Sequence, residues 1–131
     1  MDRREELTLL DIYRKMESDY DGFLDGLRKY VEKKLKGKRK EKGRGREKEV
    51  KTHQLRRIYA MTRSAGNLRD IKAIRFQLAY LAGREAIPKD VYNDMDELIK
   101  NLRKEEDVGK FKEFMEALLA YHKFYEKQEG R

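Results

Sequence analysis

The chain has 131 residues, enough for one domain with a real core but with a high ratio of surface to volume. Charged residues make up 44% against 38% hydrophobic, so the core must be assembled from narrow apolar stripes, and no run approaches membrane-spanning length. The lack of Cys excludes disulfides and thiolate metal sites, and the formal net charge of +8 favours a polyanionic partner, nucleic acid first.

Apolar residues recur at spacings of three and four almost throughout, among strong helix formers (Glu, Lys, Arg, Leu) and a single Pro. No segment alternates convincingly as a strand. The pattern predicts an all-α fold, a compact helical bundle of about five helices. It forms a single domain over residues 1–131, with a flexible basic loop after the N-terminal helix. Met1-Asp-Arg-Arg-Glu-Glu is not a signal peptide, and a soluble, cytoplasmic chain is expected.

From about Glu5 to Leu35, Leu9, Tyr13, Met16, Tyr20, Phe23, Leu24, Leu27, Val31 and Leu35 stay in phase on one helical face. The phase survives Gly22 and Gly26, which predicts one long helix or two collinear ones. Residues 36–51 follow, with nine Lys or Arg against three Glu, a surplus of six, and three glycines. Such a segment has little to bury and reads as a flexible loop, serving either as a clamp on phosphates or as a solvated linker.

Thr52 is a candidate N-cap for a helix through Ala65 that buries Leu55, Ile58, Tyr59, Thr62 and Ala65. Arg56 and Arg63, seven residues apart, share an edge of this helix with Thr52, while Arg57 points the other way. The unpaired N–H groups of the helix start, flanked by Lys51 and Arg56, suit an anion. Gly66-Asn67 ends the helix.

Leu68 to Glu85 is the expected hub, with Ile71 to Glu85 the least polar window and a stripe of Ile71, Ile74, Leu78, Leu81 and Ala82. Ala79 and Gly83 beside it would let a neighbouring helix approach closely, and Lys72, Arg75 and Arg84 border it with cations. Pro88 sits in the first turn of the next helix, striped by Val91, Tyr92, Met95, Leu98, Ile99 and Leu102 and polar on its other side. Asp107-Val-Gly109 separates a last helix, Lys110 to about Lys127, with Phe111, Phe114, Met115, Leu118, His122 and Tyr125 on one face. His122 in mid-stripe reads as a buried, hydrogen-bonded imidazole, and Lys123, on another side with Lys112, follows the end of the stripe closely enough to join a basic groove.

Three segments in this order, Lys51-Thr-His-Gln-Leu-Arg-Arg-Ile-Tyr59, Leu78-Ala-Tyr-Leu-Ala-Gly-Arg-Glu85 and Leu118-Leu-Ala-Tyr-His-Lys-Phe-Tyr125, carry a resemblance. The chain resembles the small helical subunit of type III-A CRISPR effector complexes, the Csm small subunit, over about Lys51 to Tyr125. The first segment is similar to the family's Thr/Ser-x-Gln-Ile/Leu-Arg-Lys/Arg helix opening. The resemblance implies a non-catalytic helical bundle repeated along the inner side of a ribonucleoprotein. There it would hold CRISPR RNA and target RNA by their backbones without reading sequence. It implies other Csm complex subunits and further copies of the chain as partners, and Lys51, Arg56, Arg75, Arg84 and Lys123 as RNA contacts. Arg57 and Arg63 complete the candidate set.

The residues agree with a chain that is not an enzyme and has no cofactor. Neither His53 nor His122 has a second histidine or a carboxylate at metal-ligand spacing, and no nucleophile stands beside a base. The competing readings are a free-standing basic helical DNA-binding protein and a purely structural oligomer whose charge is a thermal adaptation. In isolation, exchange of the first helix about the loop at 36–51 would make a homodimer.

Overall fold

The computed structural model describes residues 7–35, strand residues 39–40 and 47–48, and residues 52–130, with side chains described for 7–35 and 53–125. Its helices are α1 (Leu9–Ser18), α2 (Tyr20–Tyr30), α3 (Thr52–Ser64), α4 (Leu68–Gly83), α5 (Lys89–Lys100) and α6 (Glu106–Gly130). A π-helical turn, Val31–Leu35, prolongs α2, with both Val31 and Leu35 buried. Most of the basic loop, Lys51 included, lies outside the described residues. Within the loop, β1 (Arg39–Lys40) pairs antiparallel with β2 (Glu47–Lys48), Arg39 opposite Lys48. A pairing two residues long is too short to leave an alternating signature in a sequence.

The helices close into a ring in the order α1, α2, α6, α3, α4, α5 and back to α1, each stave packed on its two neighbours around a shared core. Phe23, Phe111 and Phe114 fill the centre with Leu9, Ile12, Leu27, Leu55, Ile71 and Leu78. The expected stripes of α3, α4, α5 and α6 go inward, with Tyr59, Ala82 and Tyr92 only partly buried at the edges. Among the described residues, two polar ones, Thr62 and His122, are interior. Thr62 donates to the Ile58 carbonyl at 2.9 Å, and His122 is buried as its position in the stripe predicts.

The expectation of one long or two collinear N-terminal helices fails at Asp19. Its backbone leaves the helical region, at φ −155° and ψ 78°, and its carboxylate accepts the N–H of Gly22 at 3.0 Å to start a new helix. The chain then folds α2 back onto α1. Gly26 is what allows the approach, because a β-carbon there would meet Ile12 Cγ1 at 3.4 Å and Leu7 Cδ1 at 3.7 Å. Helical phase carries no record of this reversal. The fold brings Ile12 and Tyr30 into the core and leaves Tyr20 exposed, its hydroxyl donating to Glu113 of α6.

Two further expectations are corrected. Ala79 and Gly83 do not admit a neighbour: Ala79 is exposed and nothing lies within 4 Å of a β-carbon built on Gly83. Asp107-Val-Gly109 does not separate elements but forms part of the first turn of α6. Glu106 and Asp107 suit the positive end of the helix dipole there, which outweighs the presence of one Gly.

The two glycines therefore make opposite demands. Gly26→Leu should destabilise the fold by about 1–3 kcal/mol through overpacking against α1. Gly109→Ala, with nothing within 4 Å, should stabilise it by about 0.5 kcal/mol. Denaturant unfolding of both variants checks the pair of signs.

Candidate nucleic-acid interface

Helix α3 contains no acidic residue, and its outward side carries His53, Arg56, Arg57 and Arg63, all exposed. At 1.5 Å of rise per residue, Arg56 and Arg63 stand roughly 10 Å apart along the axis. Arg63 lies over the Tyr59 ring, 6.0 Å from its centroid, on the same edge of the helix.

The neighbours of α3 run antiparallel to it. Lys112, near the start of α6, donates from Nζ to the carbonyls of Arg63 at 3.2 Å and Ala65 at 2.8 Å, at the far end of α3. Eleven residues later, almost a whole number of turns, exposed Lys123 points the same way and so stands beside the N-terminal turn of α3. Glu116 shares this edge one turn after Lys112 and is exposed too.

On the other side, the short connection Ala65–Asn67 turns the chain into α4, so Arg84 at the end of α4 returns to the level of the start of α3. Arg84 is exposed, stacked over Tyr80 at 5.5 Å from the ring centroid, with NH1 3.5 Å from the Tyr80 hydroxyl oxygen. An outer wall formed by α6, α3 and α4 thus carries Lys123, Arg56, Arg63, Arg57 and Arg84.

Arg75 stands differently. It is on the flank of α4 that faces α5, where its guanidinium binds Asp96 in a fork, Nε to Oδ1 at 2.7 Å and NH2 to Oδ2 at 3.1 Å. Any anion would have to compete with this carboxylate. Lys72 is also a structural cation, donating to the carbonyls of Ile99 at 2.9 Å and Lys100 at 2.8 Å. Lys72 and Lys112 each cap carbonyls at a helix C-terminus, those of α5 and α3. Burial, assisted by Arg75 and Arg103, lowers the Lys72 pKa.

The turn after α4 positions Arg84. Ala86 N–H donates to the Leu81 carbonyl at 2.8 Å and Glu85 N–H to that of Ala82 at 2.9 Å, the double bond of a Schellman cap. This cap requires a left-handed residue, and the chain supplies Glu85 at φ 64° rather than the nearby Gly83. Behind the wall, Asp107 ties α6 to α1. Burial pushes its carboxyl up, but the N–H groups of Arg103 and Lys104, the Lys110 charge and the Tyr13 hydroxyl outweigh this and hold it below the usual value. The Tyr13 hydroxyl is correspondingly raised, by burial first and then by Asp107.

Phe76 and Tyr80 escaped the sequence reading. They stand on α4 opposite Ile71, Ile74, Leu78 and Leu81 and are exposed. A wheel drawn over the whole window would have shown aromatics outside the core stripe. No sequence signal could have found Lys72 or Lys112 as helix caps, because their acceptors lie 27 or more residues away.

Fold and surface together define a small all-helical bundle protein with a cationic outer wall. Among the described residues there is no cluster of metal-ligating side chains, and no helix is long and apolar enough to cross a membrane. A family model described as Csm2 Type III-A matches residues 29–128, from the end of α2 through α6. A Streptococcus thermophilus protein described as "CRISPR system Cms protein Csm2" is 38% identical over 60 residues, covering 44% of this chain and 50% of that one. The match thus spans about half the length of this curated relative, and no solved structure matches. The chain belongs to the Csm2 family of type III-A CRISPR systems, the small-subunit family that its three segments resemble.

Two measurements test this local structure. Glu85→Gly should raise stability by about 1 kcal/mol by removing a left-handed non-glycine residue, read as a higher Tm. Because the Asp107 pKa is depressed in the fold, its stabilisation is present above the unfolded value, about 4, and is lost as pH falls through the folded one. The Tm difference between the natural chain and Asp107→Ala should therefore be full near neutrality and shrink in acid.

Proposed function

We propose that this chain is a non-catalytic small subunit of a type III-A ribonucleoprotein, in the cytoplasm, where it holds CRISPR RNA and target RNA by their phosphates. The observation that carries the reading is the acid-free outer side of α3, with Arg56, Arg57 and Arg63 exposed between Arg84 and Lys123. Guanidinium forks match phosphate oxygens, and contacts of this kind position a strand without reading its bases. Lys51 would extend the wall from outside the described residues. Arg75 would contribute only by giving up Asp96.

Other Csm complex subunits, and further copies of the chain, would fix the spacing between successive walls. In isolation, the α1–α2 pair could be exchanged between two copies about residues 36–51 to give a homodimer. Catalysis of RNA cleavage would belong to other subunits.

If one protomer engages about four phosphates of a single strand, log affinity should fall with log salt concentration at a slope near −3. The double substitution Arg56→Ala and Arg84→Ala should make that slope shallower by about 1.4 and weaken binding equally for unrelated RNA sequences. Binding measured across a salt series decides the matter. A loss confined to one sequence, or an affinity insensitive to salt, would contradict backbone recognition, and preference for duplex DNA would favour a DNA-binding protein.

A further inference from the structure

A helix on the outside of a polar bundle ordinarily shows one apolar face, but α4 shows two. Its inner side buries Ile71, Ile74, Leu78 and Leu81. Its outer side exposes Phe76 at 66% and Tyr80 at 58%, on a chain whose other outward positions are mainly charged or polar. Phe76 and Tyr80 are four residues apart, so their rings are neighbours along the helix surface. Beside Phe76 runs a groove of about 330 Å³ between α3 and α4, with Met61 and Ala73 on its walls and the polar groups of Ser64 and Gln77 within it.

The surroundings of these rings identify what would cover them. Helices α3 and α4 are antiparallel, and counting back from their connection sets Arg57 about level with Phe76, on the edge of α3 that also carries Met61 and Ser64 of the groove. Arg84 lies over Tyr80 at 5.5 Å and braces it through the hydroxyl. The acid at this groove, Asp70, is already engaged, its Oδ2 accepting the N–H of Gly66 at 2.8 Å. Exposed aromatic faces beside the exposed guanidinium groups of Arg57 and Arg84 complement a ligand that has flat π-surfaces and a negative backbone. Single-stranded nucleic acid has both.

We propose that Phe76 and Tyr80 form a stacking platform for unpaired nucleobases. The α3–α4 face would then take single-stranded RNA by its bases as well as its phosphates. The inference rests on the reading of the α6–α3–α4 wall as an RNA surface and adds a class of substrate to it. Phosphates run along Arg57 and Arg84 while bases turn inward onto the two rings. Gln77 offers hydrogen bonds to a base edge at the groove, Ser64 Oγ, which donates to the Ala60 carbonyl at 3.1 Å, can accept one, and stacking tolerates all four bases because each has a π-face.

The test uses the full chain and two labelled strands of equal length, a mixed-sequence single-stranded RNA and an abasic ribose-phosphate strand. Binding is followed by fluorescence anisotropy, and oligomeric state by light scattering. The natural chain should bind the RNA more tightly than the abasic strand. Phe76→Ala with Tyr80→Ala should weaken RNA binding by about tenfold or more and leave abasic binding unchanged, whereas Tyr80→Phe should retain it. Equal affinity of the natural chain for both strands overturns the platform and leaves the phosphate wall standing. Failure to bind either strand overturns both. Equal loss on both strands in the double variant also overturns the platform. So does an altered oligomeric state at unchanged RNA affinity, which would make the patch a contact between copies of the chain.

Discussion

Phe114 is fully buried where α6 meets the N-terminal helices, and the closed ring depends on what surrounds it. The Tyr13 ring of α1 meets it edge-on at 5.8 Å, Phe23 of α2 lies at 6.1 Å, and Phe111 stacks at 6.2 Å one turn back along α6. A chain with 44% charged residues has few large apolar groups to spend, and placing its aromatics at one crossing lets three helices share them. Once α6 is held there, its far edge is available to α3, and the cations of both helices come to stand side by side.

The structure sorts one residue type into two occupations. Lys72 and Lys112 are drawn to the carbonyls at the ends of α5 and α3, and Arg75 is drawn to Asp96. These cations hold staves together. Arg56, Arg57 and Arg63 stand on a helix without acids and are exposed. Net charge alone cannot separate the two groups, because the partner that occupies a cation comes from another helix. The separation matters for the proposed function, since only a guanidinium without a neighbouring carboxylate would meet phosphate at no cost in broken ion pairs.

Membership of the Csm2 family and the outer wall bear on each other from different directions. The family match runs from the end of α2 to α6 and so includes every element of the wall, whereas α1 and most of α2 precede it. Those first two helices do for the fold what the later ones do for the surface. They close the ring by packing between α5 and α6, and Tyr30, whose hydroxyl donates to Asp94 at 2.7 Å, and Lys34, 3.1 Å from Asp90, fasten them to α5. Asp90 and Asp94 of α5 thus serve as clamps, although in the sequence they are simply part of the polar side of that helix.

Helical periodicity was enough to determine by itself the all-α class, the inward stripes of α3 to α6 and the burial of His122, because each depends on residue spacing within one segment, whereas the family was legible in the residues of three segments taken in order. The fold-back at Asp19, the close approach at Gly26, the left-handed Glu85, the capture of Arg75 by Asp96 and the capping by Lys72 and Lys112 were decided only in three dimensions. Each depends on an atom brought from elsewhere in the chain or on a backbone angle that leaves hydrophobic phase undisturbed. A glycine in a helical pattern marks a close approach, a cap or an empty surface with the same letter, and here Gly26, Gly22 and Gly109 are one of each.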